Sequence, residues 1–398
     1  MSLNPEPVVT KVAASPQWLH AFAIAAALAT FPLIVLGGLV TSYDVGMAVP
    51  DAPTTFGHNM LLYPLDQWLE ASFGVRLEHG HRLFGALVGL LTLVLAAAMW
   101  SDSPSRWIPW LGGVVLASVF ARGQLGPAGL LAVGGLTILV AATLWVRKQA
   151  HWKRWLGLIA LGLVLVQGGF GSLRVVLNDR VVAVLHGCVA QAFFALMATL
   201  VLVTGRGWPV VESTVSRGAA KVRRLGLLTT CFVAAQLVSG AVLRHLGGLV
   251  VLTLHFVLAV LILLHVGLLA KRVFMEHAHV PRLPRLIELL CGLVLTQLML
   301  GAGAWATSSG FGPYALSAPT GAQIFFATAH VSVGALILAS CVVFVMLSFE
   351  VLAVPAIGEA SETKHPSNRV RARSTQTPGP PLVSPLEPRE LWFAEVPA

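Results

Sequence analysis

The chain has 398 residues, 56% of them hydrophobic and only 11% charged, with a formal net charge of +9. Soluble domains carry about 25% charged residues, so a water-soluble globular fold is excluded for most of the chain. The positive balance does not point to nucleic acid, because the cations are gathered in short loops that alternate with cation-poor ones.

Nine long apolar runs follow one another, over residues 18–40, 81–100, 130–146, 156–170, 181–203, 225–242, 249–270, 286–305 and 324–349. About 20 apolar residues cross a bilayer as a helix, which predicts an all-α polytopic membrane protein. The first run has no small-residue cleavage site and reads as a span rather than a removable signal peptide. Between 107 and 146 lie the stretches WIPWLGGVVLASVFARGQLG and PAGLLAVGGLTILVAATLWV. Their flanking loops are both basic, so an even number of crossings is expected there, giving ten spans. A re-entrant hairpin is the alternative, and the insert 104–150 is assigned no chemistry.

Arg147, Lys148, Lys153 and Arg154 share one loop; Arg217, Lys221, Arg223 and Arg224 another; Lys271, Arg272, Arg282 and Arg285 flank a third. Residues 43–77 instead carry Asp44, Asp51, Asp66 and Glu70 against Arg76, and residues 306–322 carry no charge. This alternation is the positive-inside pattern. It places both termini and the basic loops in the cytoplasm, in a multi-pass plasma (inner) membrane protein whose surrounding partner is the lipid bilayer. Cys188, Cys231, Cys291 and Cys341 all fall within predicted spans, where they read as small packing residues. The stretch from 355 onward is rich in Pro, Ser, Thr and Arg and poor in core-forming residues, which predicts disorder.

A repeat organises the spans. Gln167-Gly-Gly-Phe-Gly171 closes one span and His186 follows the Gln by nineteen residues. Gln236-Leu-Val-Ser-Gly240 is followed by His255, again by nineteen, and Gln297-Leu-Met-Leu-Gly301 by His330 across a longer loop. A fourth, degenerate copy joins Leu36-Gly-Gly-Leu-Val-Thr41, which aligns with Phe170-Gly-Ser-Leu-Arg-Val175, to His81. Two pseudo-symmetric four-helix bundles plus an extra two-span (or re-entrant) insert are therefore expected. The boundaries are 1–17 for a cytoplasmic N-terminus, 18–205 for the N-terminal half including the insert, 206–223 for a cytoplasmic linker, 224–350 for the C-terminal half and 351–398 for a disordered cytoplasmic tail.

His81, His186, His255 and His330 lie at one depth, near the same ends of their spans. Ionisable side chains at membrane depth are costly and usually face a bundle interior. A lone histidine there is commonly a satisfied core residue; four at equivalent positions ask for a ligand. Pairs of imidazoles in apolar bundles suit haem, which takes one axial ligand from each side of a flat ring. Zinc or copper wants three or four ligands at one point. Cys188, two residues after His186, belongs to another face. Two haems, one per half, is the economical reading. His20, His58, His151, His277, His279 and His365 fall in loops or span ends; His79 faces away from His81, and His245 and His265 are weak candidates for accessory roles.

The halves differ in one respect. Glu78 precedes His81 by three residues on the same helix face and Arg82 adjoins it, while no acid stands in that position before the other three histidines. The bland reading is a helix N-terminal acid favoured by the macrodipole. Glu78-x-x-His81-Arg82 resembles the ExxHR signature of the haem A synthase family, as do the spacing of the four histidines, the Gln-Gly span endings and the loop GMAVPDAPTTFG at Gly46–Gly57. The resemblance covers roughly residues 18–350 apart from the insert. It implies that haem O enters the N-terminal half as substrate between His81 and His186 and that its C8 methyl is oxidised, through two hydroxylations and loss of water, to the formyl group of haem A. It also implies that haem b is held by His255 and His330 in the C-terminal half as an electron-passing cofactor and that Glu78 is the catalytic carboxylate. A haem O synthase and cytochrome oxidase assembly are the partners so implied. Arg82, Arg174 and Arg244 are candidates for pairing haem propionates; the bland reading of the latter two is a solvated loop arginine. One departure is the first loop, Val49-Pro50-Asp51-Ala52-Pro53-Thr54-Thr55, which lacks the cysteine pair and Trp common in that family and so excludes thiol chemistry there. The competing readings are a di-haem b-type electron carrier without substrate oxidation, and a membrane transporter.

Overall fold

A computed structural model of the protein describes residues 15–100, 126–147, 152–206, 208, 213–216, 218–280, 282–308 and 319–353. Among these, nine helices are long and apolar enough to cross a membrane: α1 (Gln17–Ser42), α3 (Phe73–Trp100), α4 (Pro127–Arg147), α5 (Trp152–Leu177), α6 (Arg180–Thr204), α7 (Ala219–Leu246), α8 (Leu249–Glu276), α9 (Leu283–Ser308) and α10 (Gly321–Val351). The chain is an integral, multi-pass, all-α membrane protein. A short helix, α2 (Leu65–Glu70), and a hairpin of β1 (Thr54–Thr55) with β2 (His58–Asn59) lie in the loop after α1. The expected first span of the insert, around 107–122, the N-terminal residues 1–14 and the tail from 354 lie outside the described residues.

The helices close into two rings. In the first, α1 packs on α3, α3 on α5, α5 on α6 and α6 back on α1; in the second, α7 packs on α8, α8 on α9, α9 on α10 and α10 back on α7. The rings meet where α1 and α6 touch α10 and where α6 touches α7. Exchanging α1 with α7, α3 with α8, α5 with α9 and α6 with α10 reproduces these contacts. This is the pseudo-twofold arrangement of two four-helix bundles expected from the repeat.

The turns follow from local chemistry. Asp179 caps α6 by accepting the Val182 N–H at 2.9 Å, and Thr320 caps α10 by accepting from Gln323 N–H at 3.2 Å. The two-residue link between α7 and α8 needs left-handed backbone, supplied by Gly247 (φ 73°) and Gly248 (φ 109°). At the opposite end, a strand β3 (Thr214–Val215) pairs in parallel with β4 (Leu352–Ala353). Arg223 donates to the carbonyls of Ser348, Phe349 and Leu352, satisfying the exposed C-terminal acceptors of α10. Two expected boundaries therefore shift. The linker ends at Gly218, not at residue 223, because α7 begins at Ala219; and residues 351–353 of the expected tail are ordered, held by that strand pair.

Helix α4 stands outside the rings and packs on α5 alone among the major helix contacts. Its approach is close because Gly134 and Gly162 face each other: a Cβ on either would sit 2.6–2.7 Å from the other's carbonyl oxygen. Without a hydrophobic drive between helices in lipid, such close backbone contact is what holds them. Gly162→Leu should lower thermal stability by about 1–3 kcal/mol and increase cysteine accessibility along α4, with both rings intact; differential labelling of single-cysteine variants checks it.

Candidate functional site

The four histidines fall on alternate helices of the two rings. His81 is on α3 and His186 on α6, and these are diagonal, not adjacent, in the first ring. His255 on α8 and His330 on α10 stand diagonally in the second. They follow the first residues of their helices by eight, six, six and nine positions, about 9–14 Å along the axis.

Each imidazole lies against a glycine of the preceding long helix in its repeat, its Cε1 nearest. A Cβ at Gly37 would come within 3.1 Å of the His81 ring, at Gly171 within 3.0 Å of His186, at Gly240 within 3.0 Å of His255 and at Gly301 within 2.9 Å of His330. So the glycines in the span endings exist to let the ring press against bare backbone. Three of the four sit one turn after a glutamine that also serves the histidine. His186 Nδ1 donates to the Gln167 carbonyl at 3.1 Å, which fixes the tautomer and leaves Nε2 with its lone pair. The Gln167 and Gln297 side-chain amides stand 3.3 Å from Nε2 of His186 and His330. His255 Nδ1 pairs with Ser239 Oγ at 2.9 Å, and His330 Nδ1 approaches the Gln297 carbonyl without a bond of good geometry. In the degenerate first copy Leu33 replaces the glutamine, and His81 Nδ1 is buried without a partner.

All four histidines border one cavity of about 1940 Å³. That is roughly twice the upper end of the 300–1,000 Å³ typical of a small-ligand site. The side-chain oxygens of Gln167, Gln236 and Gln297 are buried at its wall with no hydrogen-bond partner. Buried polar atoms without partners are rare, so these oxygens are acceptors that a ligand or ordered water in the cavity can use. The rings of His255 and His330 have centres 6.2 Å apart. Two imidazoles gripping one metal from opposite sides require about 6 Å, from two metal–nitrogen bonds of about 2 Å and the offset of each nitrogen from its ring centre. Among the described residues no three His, Cys, Asp or Glu side chains converge on one point. Cys188, placed by sequence on another face, also reaches the cavity wall. This donor set, paired imidazoles in an apolar chamber, fits a haem-type macrocycle.

Glu78 is 3% exposed and sits beside His81 at the cavity wall. Its Oε1 accepts from Arg82 Nη2 at 2.7 Å and its Oε2 from the Val49 N–H at 2.8 Å. Arg82 also donates to the carbonyls of Asp51 (2.6 Å), Thr54 (3.0 Å) and Val49 (2.9 Å). The Glu78–Arg82 pair thus clamps the first loop over its half of the cavity, and four of the five guanidinium hydrogens of Arg82 are committed to that clamp. His79, buried on the other face of α3, pins the same loop through Thr55 Oγ1 at 3.0 Å and edge contacts with Tyr63 and Trp68. Asp51 shapes the loop tip by accepting the N–H groups of Phe56 and Gly57, both at 2.8 Å. Burial pushes the Asp51 carboxyl up, but those amides and the Thr54 hydroxyl outweigh it and hold it below the ordinary carboxylate range. Its contribution to loop order is therefore present at neutral pH and lost as pH falls through that lowered value.

The other two arginines are not equivalent. Arg244 donates to Ser42 Oγ at 2.6 Å, to the Gly38 carbonyl at 3.2 Å and to the Ala327 carbonyl at 3.3 Å, while Ser42 Oγ bonds Thr328 Oγ1 at 2.9 Å. It staples the two rings along the α1–α10 seam. Arg174 borders the cavity against Gly46 and forms no hydrogen bond among the described residues. Of the three arginines, it is the one whose guanidinium is open to an anion.

Sequence reasoning found the histidines and Glu78 but missed the seam of Arg244, Ser42 and Thr328, which no local spacing encodes, and the cavity-lining Gln191. The glycine at the fourth position after each glutamine was visible as a pattern, without its purpose. No known protein family matches the chain, and neither do any curated protein or solved structure.

Removing Arg82 leaves a buried carboxylate unpaired, which costs about 3–5 kcal/mol. Arg82→Ala should speed hydrogen exchange and proteolysis across residues 43–72 while leaving α7–α10 unchanged. Glu78→Gln, which retains an acceptor for the Val49 amide, should disturb the loop less.

Proposed function

We propose that the chain is a membrane oxidoreductase of the haem A synthase type, oxidising the C8 methyl of haem O to the formyl group of haem A for cytochrome oxidase. The observation that supports this most is the fourfold seating of an imidazole on a glycine, arranged as two diagonal pairs around one apolar cavity. In this reading His81 and His186 hold haem O as substrate in the first ring, and His255 and His330 hold haem b in the second. Bound there, haem b supplies one-electron chemistry.

The chain's own residues divide the remaining work. Gln167 orients His186 by taking its Nδ1 proton in a hydrogen bond, so that Nε2 faces the cavity. Arg174 offers an unoccupied guanidinium to a propionate. Glu78 supplies the asymmetry between the halves. Each of its oxygens already accepts one fixed donor, an arrangement suited to a stationary negative charge beside a carbon that becomes electron-poor. The Arg82 clamp holds the first loop over that site and excludes water. In this reading both termini lie in the cytoplasm and the histidines near the outer face of the plasma membrane, which the charge pattern of the loops supports. A haem O synthase upstream and cytochrome oxidase assembly downstream complete the scheme.

One observation favours a second reading. Glu78 is fully engaged in anchoring the loop, as a purely structural acid would be, and a di-haem electron carrier would need it for nothing more. Haem extraction and chromatography from cells expressing the chain decides between them. Haem A is expected only when the chain is present, and Glu78→Gln should reduce its formation at least about 100-fold with both haem sites still filled. Full haem A production by that variant would leave Glu78 structural; no haem A from the unaltered chain, with electron transfer intact, would establish the carrier.

A further inference from the structure

The second chamber opens sideways at a height where the first is covered. Helices α8 and α9 take no part in the major contacts between the rings, so the seam between them faces the bilayer. Two aromatic side chains line the cavity at that seam and are also open to the outside. Phe256, next to His255, is 49% exposed, and Trp305, one turn past Gly301, is 42% exposed. Their rings meet edge to face, with centres 6.4 Å apart and planes at 81°. The pseudo-twofold puts Arg82 in the place of Phe256, and Val175, only 5% exposed, in the place of Trp305. Arg82 holds the first loop, whose Ala52, Pro53 and Met60 border the cavity. In the first ring that height is therefore roofed by the loop, while in the second an aromatic mouth leads from lipid to the pair His255 and His330.

One polar group in this chamber is unexplained. Gln323 on α10 stands seven residues before His330, about 10 Å toward the start of the helix. Its Oε1 is buried at the cavity wall with no hydrogen-bond partner. It is not one of the span-ending glutamines, and its counterpart in the first ring is Asp179, the cap of α6. The connections at this end of the second ring are Gly247-Gly248 and residues 306–322, none of them charged. They offer no charged patch to guide a soluble protein carrier, whereas a neutral carrier dissolved in the bilayer needs none. We propose that the mouth binds a lipid-soluble quinol, its ring beside the Phe256–Trp305 pair and one hydroxyl donating to Gln323 Oε1. There the quinol gives up two electrons in succession, each reducing ferric haem held by His255 and His330 to ferrous, the first passed on to the first chamber before the second arrives. Its two hydroxyl protons go to water, and the quinone leaves. The acceptor in this step rests on the reading of His255 and His330 as a haem b site; the binding at the mouth does not.

The test uses the full-length chain in lipid nanodiscs with two probes. A decyl-tailed azido-ubiquinone, photoactivated and mapped by mass spectrometry, should label the cavity-lining parts of α8 and α9, residues 249–259 and 297–308, and be displaced by decylubiquinone. Decylubiquinol, mixed in a stopped flow, should reduce the bound haem, read as the rise of its ferrous absorbance. Trp305→Leu and Gln323→Leu should each weaken quinone binding by about two- to tenfold and slow reduction by the quinol in proportion. Haem content and the rate of reduction by dithionite should not change. Should Trp305→Leu fail to fold, Gln323→Leu alone decides. Label spread evenly over the lipid-facing helices, or reduction by quinol indifferent to both substitutions, would overturn the inference and leave the haem site standing. Displaceable label at the mouth of a chain that takes up no haem would keep the quinone-binding site and overturn the haem reading.

Discussion

The contact between an imidazole and a bare helix backbone sets the geometry of this protein. Four times, a glycine on one helix admits the ring of a histidine on the next. Any larger residue would push the ring away by at least a few tenths of an ångström in a packed interior, and interiors do not yield gradually. Because each histidine is seated this way, its helix is fixed in rotation and distance relative to the helix before it. The diagonal pairing of histidines, the cavity between them and the unpartnered glutamine oxygens at its wall all follow from that seating.

Symmetry gives two similar chambers, and departures from symmetry give them different linings. Among the described residues, the first chamber has Glu78, the loop clamped by Arg82, an arginine without a hydrogen bond and a lining that reaches deeper along α3 and α6, and the second has no counterpart of these. The polar groups responsible are not spread through the membrane interior. They cluster at the end of the helices where the loop lies, where Arg82 draws three loop carbonyls and a carboxylate to one guanidinium. A cation so placed, desolvated and saturated with acceptors, is costly to disturb, which is why the loop keeps its position without cysteines.

Much of this was legible in the sequence because its signals are periodic. Apolar runs of bilayer length, the Gln…Gly…His repeat and the single acid ahead of His81 are patterns in one dimension, and the bilayer restricts what they can become. The distance from Gln167 to His186 is a local quantity, since a hairpin joins the two helices. What escaped notice is what depends on the meeting of distant segments. Arg244 reads as a loop arginine until α1 and α10 bring Ser42 and the Gly38 and Ala327 carbonyls to it. The pairing of Thr214–Val215 with Leu352–Ala353 joins residues on either side of a whole helical bundle.

The central claim is that two pairs of histidines each grip a macrocycle. Low-temperature electron paramagnetic resonance of the purified chain, combined with haem quantitation, tests it most directly. The account predicts two haems per chain with bis-imidazole ligation when both sites are loaded, one lost on replacing either His81 or His186 by alanine and the other on replacing either His255 or His330. A chain that takes up no haem, or whose signals survive all four substitutions, would contradict it.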